Sequence, residues 1–458
     1  MTIATINPTT GESESTFVAL TDEQVGAALA RSSAAAKAWA ATSFKERADL
    51  MRAAADILGQ DAERVARLLT TEMGKPIGAA RAELAKSATT MRYYADHAEA
   101  FLTEKELDSP GDVGASRAYT YYEPLGTVLA VMPWNYPIWQ VIRFAAPALM
   151  AGNTGVLKHA SNVPQTALYL EELFVRAGFP DGAFVTLLIG AGQVERVIRD
   201  SRIAAVTLTG SEPAGRSVAA IAADEIKKSV LELGGSDPFI VMPSADLEAA
   251  VSTAVTSRIT NNGQACINAK RFIVHADVYP AFLELFTSRM DALRVGDPME
   301  EETDLGPVAT AGGLDDLVEL VDDAREQGAR IVLGGQRLDR PGFFYPATIV
   351  DRIPETARLY REKVFGPVAS VFEVASLDEA IELANDSDFG LGSAAWTTDD
   401  DEADTFVARL QAGTVNINGM TISYPQLPFG GIKRSGYGRE LADAGIREFC
   451  NLKTVWRA

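Results

Sequence analysis

Short apolar runs ending in glycine or a polar residue recur along this chain, and helix-patterned stretches separate them. TVLAVMP (127–133), TGVLK (154–158), FVTLLIG (184–190), AAVTLTG (204–210) and SVLELGG (229–235) form one series. Alternation of apolar strands with helices predicts a parallel sheet with helices on both faces, an α/β fold. DPFIVM, RFIVH, ARIVLGG, GPVASVFEV, GLGSAAWT and GTVNING resume the pattern from about residue 237 and predict a second α/β unit. Residues 21–105 read as helices instead. Thr21 with Gln24 and Ser43 with Glu46 match the S/T-x-x-E/Q capping box, and the Ala-rich stretches suit close helix packing. The polar segment 106–118, broken by Pro110, Gly111 and Gly114, reads as a connection.

Composition narrows the function. A chain of 458 residues has room for two or three cores, and 47% hydrophobic with 23% charged residues fits a globular protein. The net charge of -20, with no long Lys/Arg run, argues against nucleic acid or an anionic membrane as partner. No run approaches ~18 apolar residues, so no membrane span is expected. The N-terminus lacks a basic and then apolar leader, so no secretory signal is expected. Two cysteines, Cys266 and Cys450, fit a reducing compartment, and the expected location is cytoplasmic. His97, His159 and His275 have no metal-ligand spacing and no C-x-x-C occurs, so no metal site is expected.

In parallel sheets a ligand sits beyond the carboxyl ends of the strands, which directs attention to Asn135, Lys158, Gly210, Ser211 and Gly234. Cys266, in NNGQACINAK, is either a small buried hydrophobe or a nucleophile with room for substrate beside Gly263 and Ala265. Glu232, between Leu231 and Leu233, is either a solvated strand-end carboxylate or a general base in a water-poor site. Asn135, held between prolines in PWNYP, is a turn asparagine or an amide donor to a developing oxyanion. TGSEPAG (Thr209 to Gly215) follows a strand and opens a helix, where backbone amides can meet phosphate. Lys158 is an exposed lysine or a ribose or phosphate contact.

Taken in order, PWNYP, LKHAS, TGSEPAG, LELGG, GQACI, EKVFGP and PFGGIKRSGYGRE resemble the aldehyde dehydrogenase superfamily, from the NPTTGE opening to the KTVW close. NGMTISYPQLPFGGIKRSGYGREL is most similar to the bacterial branch that oxidises succinic semialdehyde. The resemblance implies a Rossmann-like cofactor domain (1–105 and 125–234), an α/β catalytic domain (235–434) and a β oligomerisation arm with the tail (106–124 and 435–458). A homodimer or homotetramer is implied. It also implies that Cys266 attacks the aldehyde, that Asn135 and the Cys266 amide hold the oxyanion, and that Glu232 activates water. Trp134, Lys158, Gly210, Ser211, Gly215 and Phe365 would bind the dinucleotide. Family members that prefer NAD usually carry glutamate three residues after the lysine. Ser161 stands there, which removes repulsion toward a 2′-phosphate and favours NADP, with NAD as the alternative.

One position departs from the family. Lys363 stands where a glutamate usually binds the nicotinamide ribose, and Glu362 is one residue earlier. Either Glu362 reaches in or that anchor is weaker. For a substrate bearing a carboxylate, the resemblance assigns Arg143 and Ser423. A second family arginine is Thr260 here, with Arg258 nearby, and the alternative for Arg143 is a structural ion pair. Asn268 excludes a local disulfide with Cys266, and Cys450 reads as core packing. The competing functions are dehydrogenation of another short-chain aldehyde, a thiol acyltransferase or hydrolase without hydride transfer, and a non-catalytic protein that kept the fold.

Overall fold

The computed structural model describes residues 3–458. Met1 and Thr2, where a leader would begin, lie outside the described residues. Five parallel strands follow the first apolar series: Thr127–Met132, Thr154–His159, Phe184–Thr186, Ile203–Thr209 and Lys228–Glu232. Thr127–Met132 pairs with Thr154–His159 on one side and Ile203–Thr209 on the other, so Leu129 faces both Val156 and Val206. The chain order therefore reverses between Thr127–Met132 and Ile203–Thr209. That reversal opens a crevice at the carboxyl ends of these two strands, where Trp134, Asn135, Gly210 and Ser211 follow. FVTLLIG is strand only over its first three residues, Phe184–Thr186.

Helices Asp22–Ala40, Phe44–Gln60, Ala62–Met73 and Ile77–Phe101 cover this sheet. Both capping boxes form. Thr21 N–H donates to Gln24 Oε1 at 2.8 Å, and Ser43 N–H donates to Glu46 Oε2 at 2.7 Å. Met51, Leu58, Leu84 and Met91 pack on Val141, Ile142 and Leu149 of the buried helix Trp139–Ala151. Such burial stabilises by roughly 1.5–3 kcal/mol for each large side chain.

The second sheet runs Arg330–Leu333, Thr348–Asp351, Val368–Val374, Ala269–His275, Asp237–Val241, Gly392–Trp396 and Thr414–Ile417. All of it is parallel except the edge strand Arg330–Leu333. The residues just before Ala269 and before Val368 carry Cys266 and Lys363. The amino ends of this sheet thus face the carboxyl ends of the first. A third sheet joins Cys450–Arg457, Arg117–Pro124 and Lys105–Glu106 in antiparallel register, with Leu452 opposite Tyr122. Between the last of these and Arg117 the chain makes a short helical turn, Pro110–Val113, that ends on Gly114 at positive φ. Gly436–Tyr437 returns to pair with Lys228–Glu232, and Leu441, Ile446 and Phe449 join the first core.

Candidate active site

The PWNYP loop is fixed at both ends. His159 is buried, its Nε2–H reaching Pro137 O at 2.9 Å while Nδ1 accepts from Ala160 N–H at 2.9 Å. Burial pushes its pKa down to about 4, so it braces the loop as a neutral ring. The Glu83 carboxylate accepts from Ile138 N–H at 2.8 Å and Trp139 N–H at 2.9 Å, at the positive end of helix Trp139–Ala151. Glu83 is itself paired with buried Lys75. Asn135 Nδ2 donates to Gln264 O at 2.8 Å, and Asn261 Nδ2 donates to Asn135 O at 2.8 Å. One amide hydrogen of Asn135 remains for a ligand.

The cysteine loop is held as firmly. Helix Leu247–Ile259 runs into Asn261, Asn262 and Gly263, all left-handed, with φ of 57°, 57° and 74°. Asparagine tolerates this conformation and glycine adopts it freely. At Gly263 a Cβ would overlap the Gly366 carbonyl, so the cysteine loop sits directly on the F-G-P segment. Asn262 Nδ2 ties the loop to Gly74 O at 2.8 Å and Pro307 O at 2.9 Å. Asn268 Oδ1 accepts from Ala265 N–H at 2.6 Å, and Lys270 Nζ donates to the carbonyls of Ala265, Cys266 and Asn268. Arg258, fully buried, donates to Ala269 O and Gly263 O, both at 2.7 Å. It therefore serves the loop and does not replace the family's second substrate arginine. The Cys266 backbone N–H donates to no other group among the described residues.

Two cavities meet at Cys266. One, of about 320 Å³, is lined by Trp134, Asn135, Gly210, Ser211, Lys363 and Phe365. The Trp134 and Phe365 rings meet edge to face there, 5.7 Å apart. Ser211 precedes helix Glu212–Asp224 and makes no side-chain cap, which leaves first-turn amides for an anion. The other cavity, of about 250 Å³, is lined by Lys86, Trp139, Arg143, Thr260, Ser423 and Phe429, among others. Cys266 and Gln140 belong to both cavities.

Four expected site residues lie elsewhere. Lys158 and Ser161 stand at and beyond the end of strand Thr154–His159, outside the 320 Å³ cavity. Lys158 is only 9% exposed and makes no ion pair among the described residues, and burial pushes its pKa down. Gly215 packs on Leu233, whose methyl groups would overlap a Cβ at that position. Its smallness serves close helix-to-strand approach, and it contacts neither cavity. Glu232 is 2% exposed, and its carboxyl lies against Gly430, beside Glu440 and Arg143. Burial, then the Glu440 charge, holds its proton well above the usual carboxylate range.

Arg143 is ion-paired with buried Glu440, donates to Thr209 Oγ1 at 3.3 Å and lies over the Phe429 ring. Its charge is compensated by Glu440, while its side chain also lines the 250 Å³ cavity together with Ser423. Glu362 points outward to Arg358 at 2.8 Å and does not reach the site, whereas Lys363 does. Sequence reasoning passed over Lys86. Its Nζ donates to Ser423 Oγ at 2.9 Å and lies 4.2 Å from the centre of the Trp139 ring. Burial pushes its pKa down to about 8. The only sequence signal is position: Lys86 is one turn after Glu83 on a helix that packs against Trp139–Ala151. Burial likewise pushes the Cys266 thiol up, while Lys363, then Arg143 and Lys270, oppose that rise and Glu232 adds to it. Cys450 is half-buried beside the first core, and burial pushes it up to about 12.

A half-buried thiol shared by two cavities, with an amide donor beside it, is an arrangement for covalent chemistry on a carbonyl. Comparison with known proteins agrees. A model of the aldehyde dehydrogenase family matches residues 1–455. The succinate-semialdehyde dehydrogenase (NADP(+)) 1 of Mycobacterium tuberculosis is 61% identical over 458 residues, covering 100% of both chains. That of Mycobacterium ulcerans is 60% identical over 457 residues and also covers 100% of both. The solved succinic semialdehyde dehydrogenase from Streptococcus pyogenes in complex with NADP+ superposes with a TM-score of 0.96 at 38% identity, over 99% of each chain. On the full-length family match and these relatives, the chain belongs to the aldehyde dehydrogenase family.

Proposed function

We propose that this chain oxidises succinic semialdehyde to succinate with NADP as hydride acceptor. The carrying observation is Cys266 in the wall of two cavities, one suited to a dinucleotide and one holding a cation for a carboxylate. The residues fit NADP. Trp134, Gly210, Ser211 and Phe365 surround the crevice, and Lys158 is a buried cation with no carboxylate partner among the described residues. Ser161 presents no charge that would repel a 2′-phosphate.

Cys266 must first lose its proton. Its sulfur then bonds to the aldehyde carbon, and the oxygen becomes an oxyanion that accepts hydrogen bonds from the Asn135 side-chain amide and the Cys266 N–H. Bound NADP supplies the acceptor for the hydride that leaves this carbon, which converts the thiohemiacetal on Cys266 to a thioester. Glu232, which burial against Gly430 biases toward its protonated form, turns toward the thioester and, once ionised, takes a proton from water. The hydroxyl adds to the acyl carbon, the carbon–sulfur bond breaks, and the thiol is restored. Gln140, common to both cavities, separates the two ligands. Lys86 and Ser423 receive the far carboxylate of the substrate, and Arg143 contributes mainly by fixing Glu440 beside Glu232.

The strand Cys450–Arg457 exposes Leu452 and Trp456, at 55% and 53%, on the edge of the third sheet. We infer that this arm pairs subunits in a homo-oligomer. Among the described residues no helix is long and apolar enough to cross a membrane. A cytoplasmic enzyme is our reading of that fact together with the sparse cysteines. The test is kcat/KM for NADP and NAD, read as reduced-nicotinamide absorbance with succinic semialdehyde. A clear NADP preference supports the proposal. Preference for NAD rejects the cofactor assignment, and ester hydrolysis without nicotinamide reduction rejects the dehydrogenase.

A further inference from the structure

Lys363 is a cation in an unusual place. It is half-buried, lines the cavity that Cys266 shares, and makes no ion pair among the described residues. Its ammonium is held 4.4 Å from the centre of the Phe365 ring, and its stem runs along Gly234, where a Cβ would approach it to 3.3 Å. The F-G-P segment that carries it is locked under Gly263 of the cysteine loop. Nucleophile and ammonium therefore sit on two segments that cannot separate without breaking the loop's packing. We propose that Lys363 is a positioning residue that acts through Cys266, as the counter-ion of its thiolate before any ligand binds.

The surrounding charges agree. Lys363 leads the groups that oppose the burial-driven rise of the Cys266 thiol, ahead of Arg143 and Lys270, while Glu232 works against them. The other two are occupied: Arg143 by Glu440, and Lys270 by three carbonyls. Lys363 itself faces Cys266, Asp237 and Arg258, and burial pulls its pKa down. Ionisation of Cys266 beside it sends the thiol proton to solvent and leaves an ammonium–thiolate pair. The glutamate usual at this position would oppose the same ionisation.

The inference rests on the proposed function only for the identity of the nucleophile. Its test needs neither substrate nor NADP. Full-length, ligand-free enzyme is alkylated with iodoacetamide across a range of pH, and the Cys266 peptide is quantified by mass spectrometry. The Cys450 peptide serves as an internal control of folding. Lys363→Met should move the midpoint of the Cys266 profile up by about one pH unit, and Lys363→Glu further. Because a more basic thiolate is also more nucleophilic, the rate below the midpoint falls only about 3- to 4-fold for Lys363→Met. Lys363→Arg should keep the wild-type midpoint. A Met variant that tracks wild type overturns the proposal, as does an Arg variant that shifts as far as Met, which would mark a packing role. Absence of turnover with succinic semialdehyde would reject the proposed function and leave the alkylation profile to decide on Lys363 alone.

Discussion

Lys86→Met separates substrate recognition from chemistry. Methionine keeps an unbranched stem against Trp139 and removes the charge that bonds to Ser423. A charge-assisted hydrogen bond contributes about 1.5–3 kcal/mol, so kcat/KM for succinic semialdehyde should fall roughly 10- to 150-fold. Butanal, which has no carboxylate, should be oxidised within about 3-fold of the wild-type rate constant, since Cys266 and Asn135 are untouched. Lys86→Arg should recover much of the loss. The pH dependence gives a second signature. With a folded pKa of about 8, Lys86 loses its charge above that pH, so KM for the semialdehyde should climb there while that for butanal stays level. Stability follows with a definite sign. The folded pKa lies below the ordinary 10.5, so the unfolded chain binds the extra proton between about pH 8 and 10.5 and stability rises with pH in that window. Lys86→Met should flatten the rise. Equal losses on both aldehydes, or none on either, would refute the assignment of Lys86 to the carboxylate.

Arg143→Met leaves Glu440 and Glu232 buried without their shared cation, which should cost about 3–5 kcal/mol, seen as a lower Tm, and should reduce turnover of both aldehydes together. Asn135→Ala removes an oxyanion donor, and kcat should fall about 10²- to 10³-fold with the fold retained, because Asn261 still donates to Gln264 O at 3.1 Å. Glu232 keeps its proton above the usual range, so the folded chain binds more protons than the unfolded one above about pH 4.5, and stability falls as pH rises from there toward the raised pKa. Glu232→Gln should flatten that fall in a denaturation series across pH while slowing thioester hydrolysis.

The first sheet was legible because its strands are near-continuous apolar runs that end in turn residues, and the reversal in strand order placed Asn135 and Gly210 at one crevice. Thr348–Asp351 escaped notice because it is four residues long and flanked by loop. The strand pair Ile3–Ile6 and Ser13–Phe17 also escaped, since SESTF carries no apolar alternation. At the site, Cys266 stood out by scarcity and Asn135 by its prolines. The partners of Arg143 and Glu232 did not, because Glu440 is about 300 and 200 residues away in sequence and only folding brings the three together. Gly215 looked like a phosphate-binding glycine, yet it answers to Leu233. Lys86 gave no signal, since nothing in ELAKSATT records that Trp139 and Ser423 close over it.

The most direct test of the account is to trap the acyl group. Glu232→Gln enzyme mixed with succinic semialdehyde and excess NADP should give one burst of reduced nicotinamide and a succinyl thioester on the Cys266 peptide, identified by mass spectrometry. Cys266→Ala should give neither. A burst that survives in Cys266→Ala, or an acyl group on any other residue, would contradict the claim that both cavities serve this one sulfur.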